Sequence, residues 1–391
     1  MDREATVKIL QAIPELEEIR EVWESWPGHR DSEMESFSNF VRTNPETVRP
    51  HVLVVYRGGR PDAILVGRID QGKIRCRLGY LGIGLPARIM CFVNGALRGN
   101  PSKENCELLL SEILRSLSLR EADAAYLHFL RRKSELWQLA TRMPSPLCRD
   151  YLRTTLKHFA ATLPATVEEF YRGLSSGTRW QARSKQKKLL RDFGGDVRIH
   201  CFHDVAEFEN LIQDVEQVAK KSYQRGLGVG FIDSPERREQ LRFMAERGWL
   251  RGYVLYIAER PCAFWMGDVN RTTFGSDYLA YDAKFEKYSP GMCLIVKVIE
   301  GFCDGNREGV TEVDFATGSA QYKEVLSNRK WEEESVYVFS PTIKGISLNL
   351  IRSSIVGIDQ AIKKALAHTN LLQRIKKHWR ARKRLDMDAS R

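Results

Sequence analysis

YDAKFEKYSPGMCLIVKVIEGFCDGNREGVTEVDFATGSAQYK, residues 281–323, is the stretch whose reading decides the fold. It begins where a strand-like run (273–282) ends, crosses a polar loop, and enters a helix at 290–304 through Ser289-Pro290-Gly291. Ser is a favoured N-cap, Pro a favoured first helical residue, and Gly lets a ligand approach the backbone closely. Free N–H groups and the positive end of the helix dipole would suit a phosphate or pyrophosphate at such a turn. Many helices open on Ser-Pro-Gly and bind nothing, so the turn alone names no ligand. A strand at 310–315 and a helix at 319–327 complete the segment.

Working outward, the pattern occurs twice. Ahead of the stretch come a basic helix (178–192), a strand (197–202), a helix (205–223) and strands at 253–258 and 263–269. The first part of the chain has a helix at 14–26, an amphipathic stretch at 31–43, and strands at 51–57, 63–70, 73–81 and 90–96. A helix at 103–118, a strand at 124–130 and a helix at 134–142 follow. At an offset of 200, VVYRGGRPDAILVGRI (54–69) lies over VLYIAERPCAFWMGDV (254–269) with six identities in sixteen positions. Each copy reads as a strand, an Arg-Pro turn and a strand whose interior Gly marks a bulge or a close backbone approach. Two unrelated hairpins could match as well by chance. The shared order of elements around them makes duplication the expectation.

Size and composition agree with two α/β domains. The chain has 391 residues, 43% hydrophobic and 28% charged, the balance of an ordinary globular protein. No window approaches 18 apolar residues, and the first residues lack the apolar core of a signal peptide, so a cytoplasmic location is expected. The eight cysteines are scattered, without C-x-x-C spacing, and read as small hydrophobes of a reducing compartment. No metal site is expected. G-x-S-x-G and H-E-x-x-H are absent, and GLGVG at 226–230 follows a helix rather than the strand a dinucleotide fingerprint needs. Of the net charge of +11, residues 344–391 carry +9, with twelve Lys/Arg against three Asp. The remainder is nearly neutral, which argues against a nucleic-acid binder.

The hairpin, the Ser-Pro-Gly helix, the strand VDFATG and the helix bearing Tyr322-Lys323 together resemble the GNAT acyltransferase superfamily. More narrowly they resemble its CelD-type branch and the related FemAB-type peptidyltransferases, which are built from two GNAT units. The resemblance rests on Asp314, Phe315, Gly318, Tyr322 and Lys323; it is good over 166–340, architectural over 1–160, and absent from the tail. It implies a mixed-sheet α/β fold, a tandem duplicated GNAT architecture with a C-terminal basic helical tail. The expected domains are a degenerate GNAT-like unit at 1–160, a catalytic GNAT unit at 161–343 and the tail at 344–391. The usual pyrophosphate loop, Gln/Arg-x-x-Gly-x-Gly/Ala, is matched by Lys287–Met292 only in a leading cation and one Gly, and Gly291 stands one place later than the pattern's first Gly.

The resemblance implies acyl-CoA, most simply acetyl-CoA, as donor, with Lys287, Ser289, Gly291 and Met292 around its phosphates. The acceptor would be an amino group of a sugar, peptide or cell-envelope (polysaccharide) precursor. Such an amine must lose a proton before attack, the oxyanion needs a donor, and the leaving thiolate benefits from an acid. By position Tyr322 fits the leaving-group role. Asp314 would hold Lys323 or orient the acceptor, Lys323 would bind an acidic substrate group, and Asp277 is a carboxylate on the central hairpin. Asp268, the loop residues Tyr223 and Arg225, and Arg183 of the basic helix are the expected acceptor contacts. Each carboxylate also reads as an ordinary solvated strand end.

Two alternatives stay open: a FemAB-like transferase using aminoacyl-tRNA, and a non-catalytic GNAT-fold binding protein. In the tail, Leu348, Ile351, Ile355, Ile358, Ile362 and Leu366 form one apolar stripe ahead of a cation-rich end around Trp379. Its regularity favours docking of 346–366 on the second domain. The charge run suits an anionic membrane surface, the inner face for a cytoplasmic protein.

Overall fold

The computed structural model describes residues 5–79, 81–226, 230–304 and 308–368. In chain order the strands are β1 (Ala5–Leu10), β2 (Thr47–Pro50), β3 (Val52–Arg57), β4 (Arg60–Leu78), β5 (Leu81–Gly99), β6 (Ala124–Arg131) and β7 (Thr155–Thr162). They continue as β8 (Val197–Phe202), β9 (Leu250–Ile257), β10 (Arg260–Asn270), β11 (Thr273–Tyr281), β12 (Glu312–Thr317) and β13 (Arg329–Phe339). The chain divides into two compact units. Among the described residues, one holds 5–156 and 332–368 and the other holds 157–331.

In the first unit the strand order is β1-β3-β4-β5-β6-β13, all neighbours antiparallel except β5 and β6. Residues read from sequence as two strands at 63–70 and 73–81 form most of the 19-residue β4, because Gly72 stays paired, opposite Ala87 of β5. The helix Lys103–Ser118 is capped by Ser102, whose hydroxyl accepts from Asn105 N–H, and buries Leu109, Leu110, Ile113 and Leu117. The helix Ile343–His368 lies on the arm formed by β4 and β5. There Leu348 and Ile355 pack with Ile74, Cys76, Ile83 and Leu85.

The second unit repeats this plan as β8-β9-β10-β11-β12-β7, with β11 and β12 the parallel pair. One face packs on the helices Val167–Gly173, Ser176–Phe193 and Pro290–Cys303, around Trp265, Phe274 and Phe315. The other packs on Phe208–Lys220 and Pro235–Glu246, around Phe264 and Met266. The segments matched at an offset of 200 fold alike down to the irregularity. Tyr56 faces Pro61 and Val55 faces Ala63, as Tyr256 faces Pro261 and Leu255 faces Ala263, each with one residue bulged between.

The two units exchange their last strands. β7 follows the β6 segment in sequence but pairs with β12, while β13 follows β12 but pairs with β6. Residues 332–343, read from sequence as the end of the second domain, therefore belong to the first unit, and 157–160 belong to the second. The helix from 343 does dock, but on the first unit and not on the second domain as the sequence reading expects. The cation-rich end around Trp379 lies outside the described residues.

Candidate active site

The parallel pair β11/β12 organises the site. Thr273, Phe274 and Gly275 pair with Glu312, Val313 and Asp314, and there the pairing stops, although both strands continue. Past the split, β11 has its own anchor: the Leu279 carbonyl accepts from Gln224 Nε2 at 2.9 Å. The divergence starts beside two irregularities. In β11, Asp277 is the extra residue of a bulge, since Met266 faces Tyr278 while Gly267 faces Ser276. In β12, Ala316 takes a left-handed φ of 57°, within a bulge against β7.

Asp314 stands at the split. Its Oδ1 accepts from Ala316 N–H at 2.7 Å, which holds the left-handed turn, and lies 2.6 Å from His158 Nε2 on β7. His158 is buried and stacks on Trp331, with ring centroids 4.3 Å apart and planes 11° apart. Across the sheet the register runs Asp268, Gly275, Asp314, which puts two carboxylates on one face with a side-chain gap between them. A Cβ on Gly275 would sit 2.9 Å from Asp268 Oδ1. Asp268 is only 3% exposed, so it is no solvated strand end.

Tyr322 and Lys323 lie on the short helix Gln321–Leu326. Tyr322 packs edge-on against Phe315, 6.0 Å between centroids, and its hydroxyl interacts with Ser276 of β11, which also accepts from Trp265 Nε1 at 2.8 Å. Tyr322 thus bridges the two diverging strands. Burial pushes its phenol up to about 12, the nearby Tyr223 adding and Ser276 opposing. Lys323 Nζ donates to the Thr317 carbonyl at 2.8 Å. Burial holds its ammonium below the usual lysine range, against the opposing pull of Asp314.

The other end of the cleft is the start of the helix Pro290–Cys303. Ser289 occupies the N-cap position, but in a left-handed conformation (φ 51°, ψ 54°) with no side-chain capping bond, so its expected cap is not formed. Gly291 faces inward: a Cβ there would meet Tyr281 Cδ1 at 3.4 Å and Leu279 Cδ1 at 3.8 Å, ordinary contact distances, so packing against β11 does not itself demand glycine. Met292 packs partly into the same core. Cations surround the turn. Lys185 Nζ donates to the Lys287 carbonyl at 2.9 Å, and the ammonium groups of Lys287 and Lys188 lie 4.7 and 5.6 Å from the Tyr288 ring centre.

Among the expected acceptor contacts, Arg225 is spoken for. Its guanidinium makes a two-bond pair with Glu216 (2.9 and 3.1 Å) and donates to the Phe231 carbonyl at 2.6 Å, pinning its own loop. Tyr223 is exposed, and so is Asp277. Arg183 covers the Tyr171 ring at 4.5 Å and lines a groove of about 710 Å³ along the basic helix with Arg179, Trp180, Lys187 and Arg191. Asp314, Tyr322 and Lys323, named from sequence, lie on β12 and the short helix that follows it, while sequence reading misses His158, whose partner is 156 residues away. Among the described residues no cluster of His, Cys, Asp and Glu could hold a metal ion, and no helix is long and apolar enough to cross a membrane.

Residues 176–324 match the family model for the acetyltransferase (GNAT) domain. Among solved structures, FemX aligns over 86% of this chain and 98% of its own, at 10% identity and a TM-score of 0.55. The C-terminal domain of an assigned lysylphosphatidylglycerol synthetase from Agrobacterium fabrum aligns over 88% and 98%, at 10% identity and a TM-score of 0.51. A tandem GNAT protein from the clavulanic acid biosynthesis pathway aligns over 87% and 99%, at 11% identity and a TM-score of 0.47. A comparison with curated protein sequences gives no match. The chain is a mixed α/β protein of the tandem GNAT fold, and its second unit carries the segment that matches the acetyltransferase (GNAT) domain.

Proposed function

We propose that the second unit transfers an acyl group from acyl-CoA, acetyl-CoA in the simplest case, to an amino group of a sugar, peptide or cell-envelope precursor, as in the CelD-type branch. The observation that carries this reading is the split between β11 and β12, with a cation-ringed helix start at one end and Asp314, Tyr322 and Lys323 at the other. Lys185, Lys188 and Lys287 would hold the donor's phosphates at the helix start. Asp314, its Oδ1 fixed by His158 and the Ala316 N–H, is placed to take the proton of the incoming amine. A backbone N–H at the Asp277 bulge is the natural donor to the oxyanion.

Tyr322 acts as a hydrogen-bond donor rather than a full acid. A phenol at about 12 facing a thiol near 8.5 would give up its proton at a cost of ~5 kcal/mol. Donating a hydrogen bond to the departing thiolate carries no such cost. The test is a thermal-shift series with acetyl-CoA, longer acyl-CoAs and CoA. Ligand at about 100 Kd should stabilise the second unit by ~2.7 kcal/mol; no shift with any of them rejects the donor assignment.

One observation favours the aminoacyl-tRNA reading. Arg179, Arg183, Lys187 and Arg191 recur every fourth residue along the groove beside Trp180, which is 70% exposed. Such a row suits successive backbone phosphates. Strongly salt-dependent tRNA binding, with no response to CoA thioesters, would favour it. Stabilisation by CoA thioesters without turnover on any amine would instead favour a binding protein.

A further inference from the structure

The helix Ile343–His368 buries only one edge of its apolar stripe, Leu348 and Ile355, against the arm. The docked side carries Leu348, Asn349, Arg352 and Asp359, all buried. Asn349 Nδ2 donates to the carbonyls of Leu147 and Arg149, Arg352 pairs with Asp150 at 2.7 Å, and Asp359 accepts from Gly79 N–H at 2.8 Å. Those polar anchors fix the helix rotation. As a result Leu350, Ile351, Ile358 and Ile362 are 59, 47, 53 and 45% exposed, on the side turned away from the arm. Ser347 and Ser354 fill the positions between; at the two ends, Lys344 pairs with Asp123 and Lys363 with Asp359, each at 2.6 Å, and Lys364 is exposed. Beside the helix, Leu147 and Tyr151 are 59 and 60% exposed. In sequence, 369–391 then adds eight Lys or Arg against two Asp.

We infer that this exposed face is a membrane-docking surface, with the Leu350–Ile362 stripe entering the interfacial zone of an anionic lipid bilayer and the net positive charge of the sequence at 369–391 favouring anionic headgroups. An apolar helix face bordered by cations is what such a surface selects. A second copy of the chain fits less well. From Ile351 to Ile362 the stripe is about 17 Å long and offers roughly 200 Å², far below the ~800 Å² per partner of a stable interface.

The experiment is co-sedimentation of the full chain, without acyl donor or acceptor, on phosphatidylcholine vesicles with and without about one-third phosphatidylglycerol. The chain should pellet with the anionic vesicles. The variant Ile351→Ser/Ile358→Ser/Ile362→Ser should bind at least about tenfold more weakly with an unchanged far-UV spectrum and melting curve, and Ile358→Asp alone should weaken binding in the same sense. Equal pelleting of wild type and variants would overturn the proposal, by assigning binding to charge alone. So would no pelleting at all, or a concentration-dependent dimer that the variants abolish. None of these readouts involves catalysis, so the surface and the acyl-transfer reading stand or fall separately.

Discussion

Gly267→Ala tests whether the splayed cleft depends on one close backbone approach. A Cβ at Gly267 would lie 1.8 Å from the Gly275 carbonyl oxygen and 2.9 Å from its carbon, both backbone atoms of the neighbouring strand. No rotamer relieves that contact. β10 and β11 must separate by more than an ångström where Asp268 faces Gly275 and Gly267 faces Ser276. Losing about two ladder hydrogen bonds at ~1 kcal/mol each, plus strain in the buried surroundings of Phe274, gives a cost of ~3–5 kcal/mol. Gly67 is the equivalent position in the first unit, but a Cβ there meets first the buried Phe92 ring, at 2.5 and 2.7 Å, and the nearest backbone atom, the His51 carbonyl oxygen, only at 3.1 Å. Gly67→Ala, an overpacking of the core without a backbone clash below 3 Å, should cost less, ~1–3 kcal/mol. The assay is urea unfolding followed by far-UV circular dichroism and tryptophan fluorescence, fitted with a separate transition for each unit. Gly267→Ala within 1 kcal/mol of wild type, or Gly67→Ala costing as much, would refute the reasoning.

His158→Ala removes the partner of Asp314 and the stack on Trp331; it should cost ~2–4 kcal/mol in urea melts, whereas Asp314→Asn, which can still accept from Ala316 N–H, should cost about 1 kcal/mol or less yet lose most acyl transfer. Tyr322→Phe should lower kcat about tenfold or more with little change in the melting curve, and Lys323→Ala should do so at least tenfold; unchanged kinetics on a competent acceptor would remove both from the machinery. Acid should destabilise the first unit. Burial lowers His51 and His128 from 6.5 to about 4, so the neutral rings favour the folded state, and that stability is present above 6.5 and lost as pH falls through about 4. The loss is at most ~3 kcal/mol per histidine, and His51→Gln should flatten the melting temperature against pH between 6.5 and 4.

What was legible in the sequence follows its local physics. Apolar spacing and flanking turn residues mark the helix at 103–118, the strand at 197–202 and the helix at 290–303 to within a residue or two, although Ser289 forms no side-chain cap. Asp314, Tyr322 and Lys323 come from one short stretch and stay together in space. β7, TLKHFAAT, offers no alternation to read: His158, Phe159, Ala160 and Ala161 are all buried, since both faces of the strand are covered. His158 has no local signal, and its stacking partner Trp331 is as remote as Asp314. Arg225 looks like any loop arginine until its Glu216 partner is in view.

The strand exchange leads to a final expectation. A fragment cut at 161–343 removes Lys157–Ala160 from β7, exposes the free edge of β12, takes His158 from Asp314, and keeps most of β13 without the β6 strand it pairs with. An unpaired apolar strand such as ESVYVF (334–339) is an aggregation hazard. A fragment of 157–331 instead keeps β7 and the His158–Asp314 contact, and leaves the β13 residues from 332 onward behind. It should be the more soluble of the two by gel filtration and show the sharper melt. If 161–343 is monomeric and melts as cooperatively as 157–331, then β7 contributes little to the second unit, and His158 loses its part in holding the site.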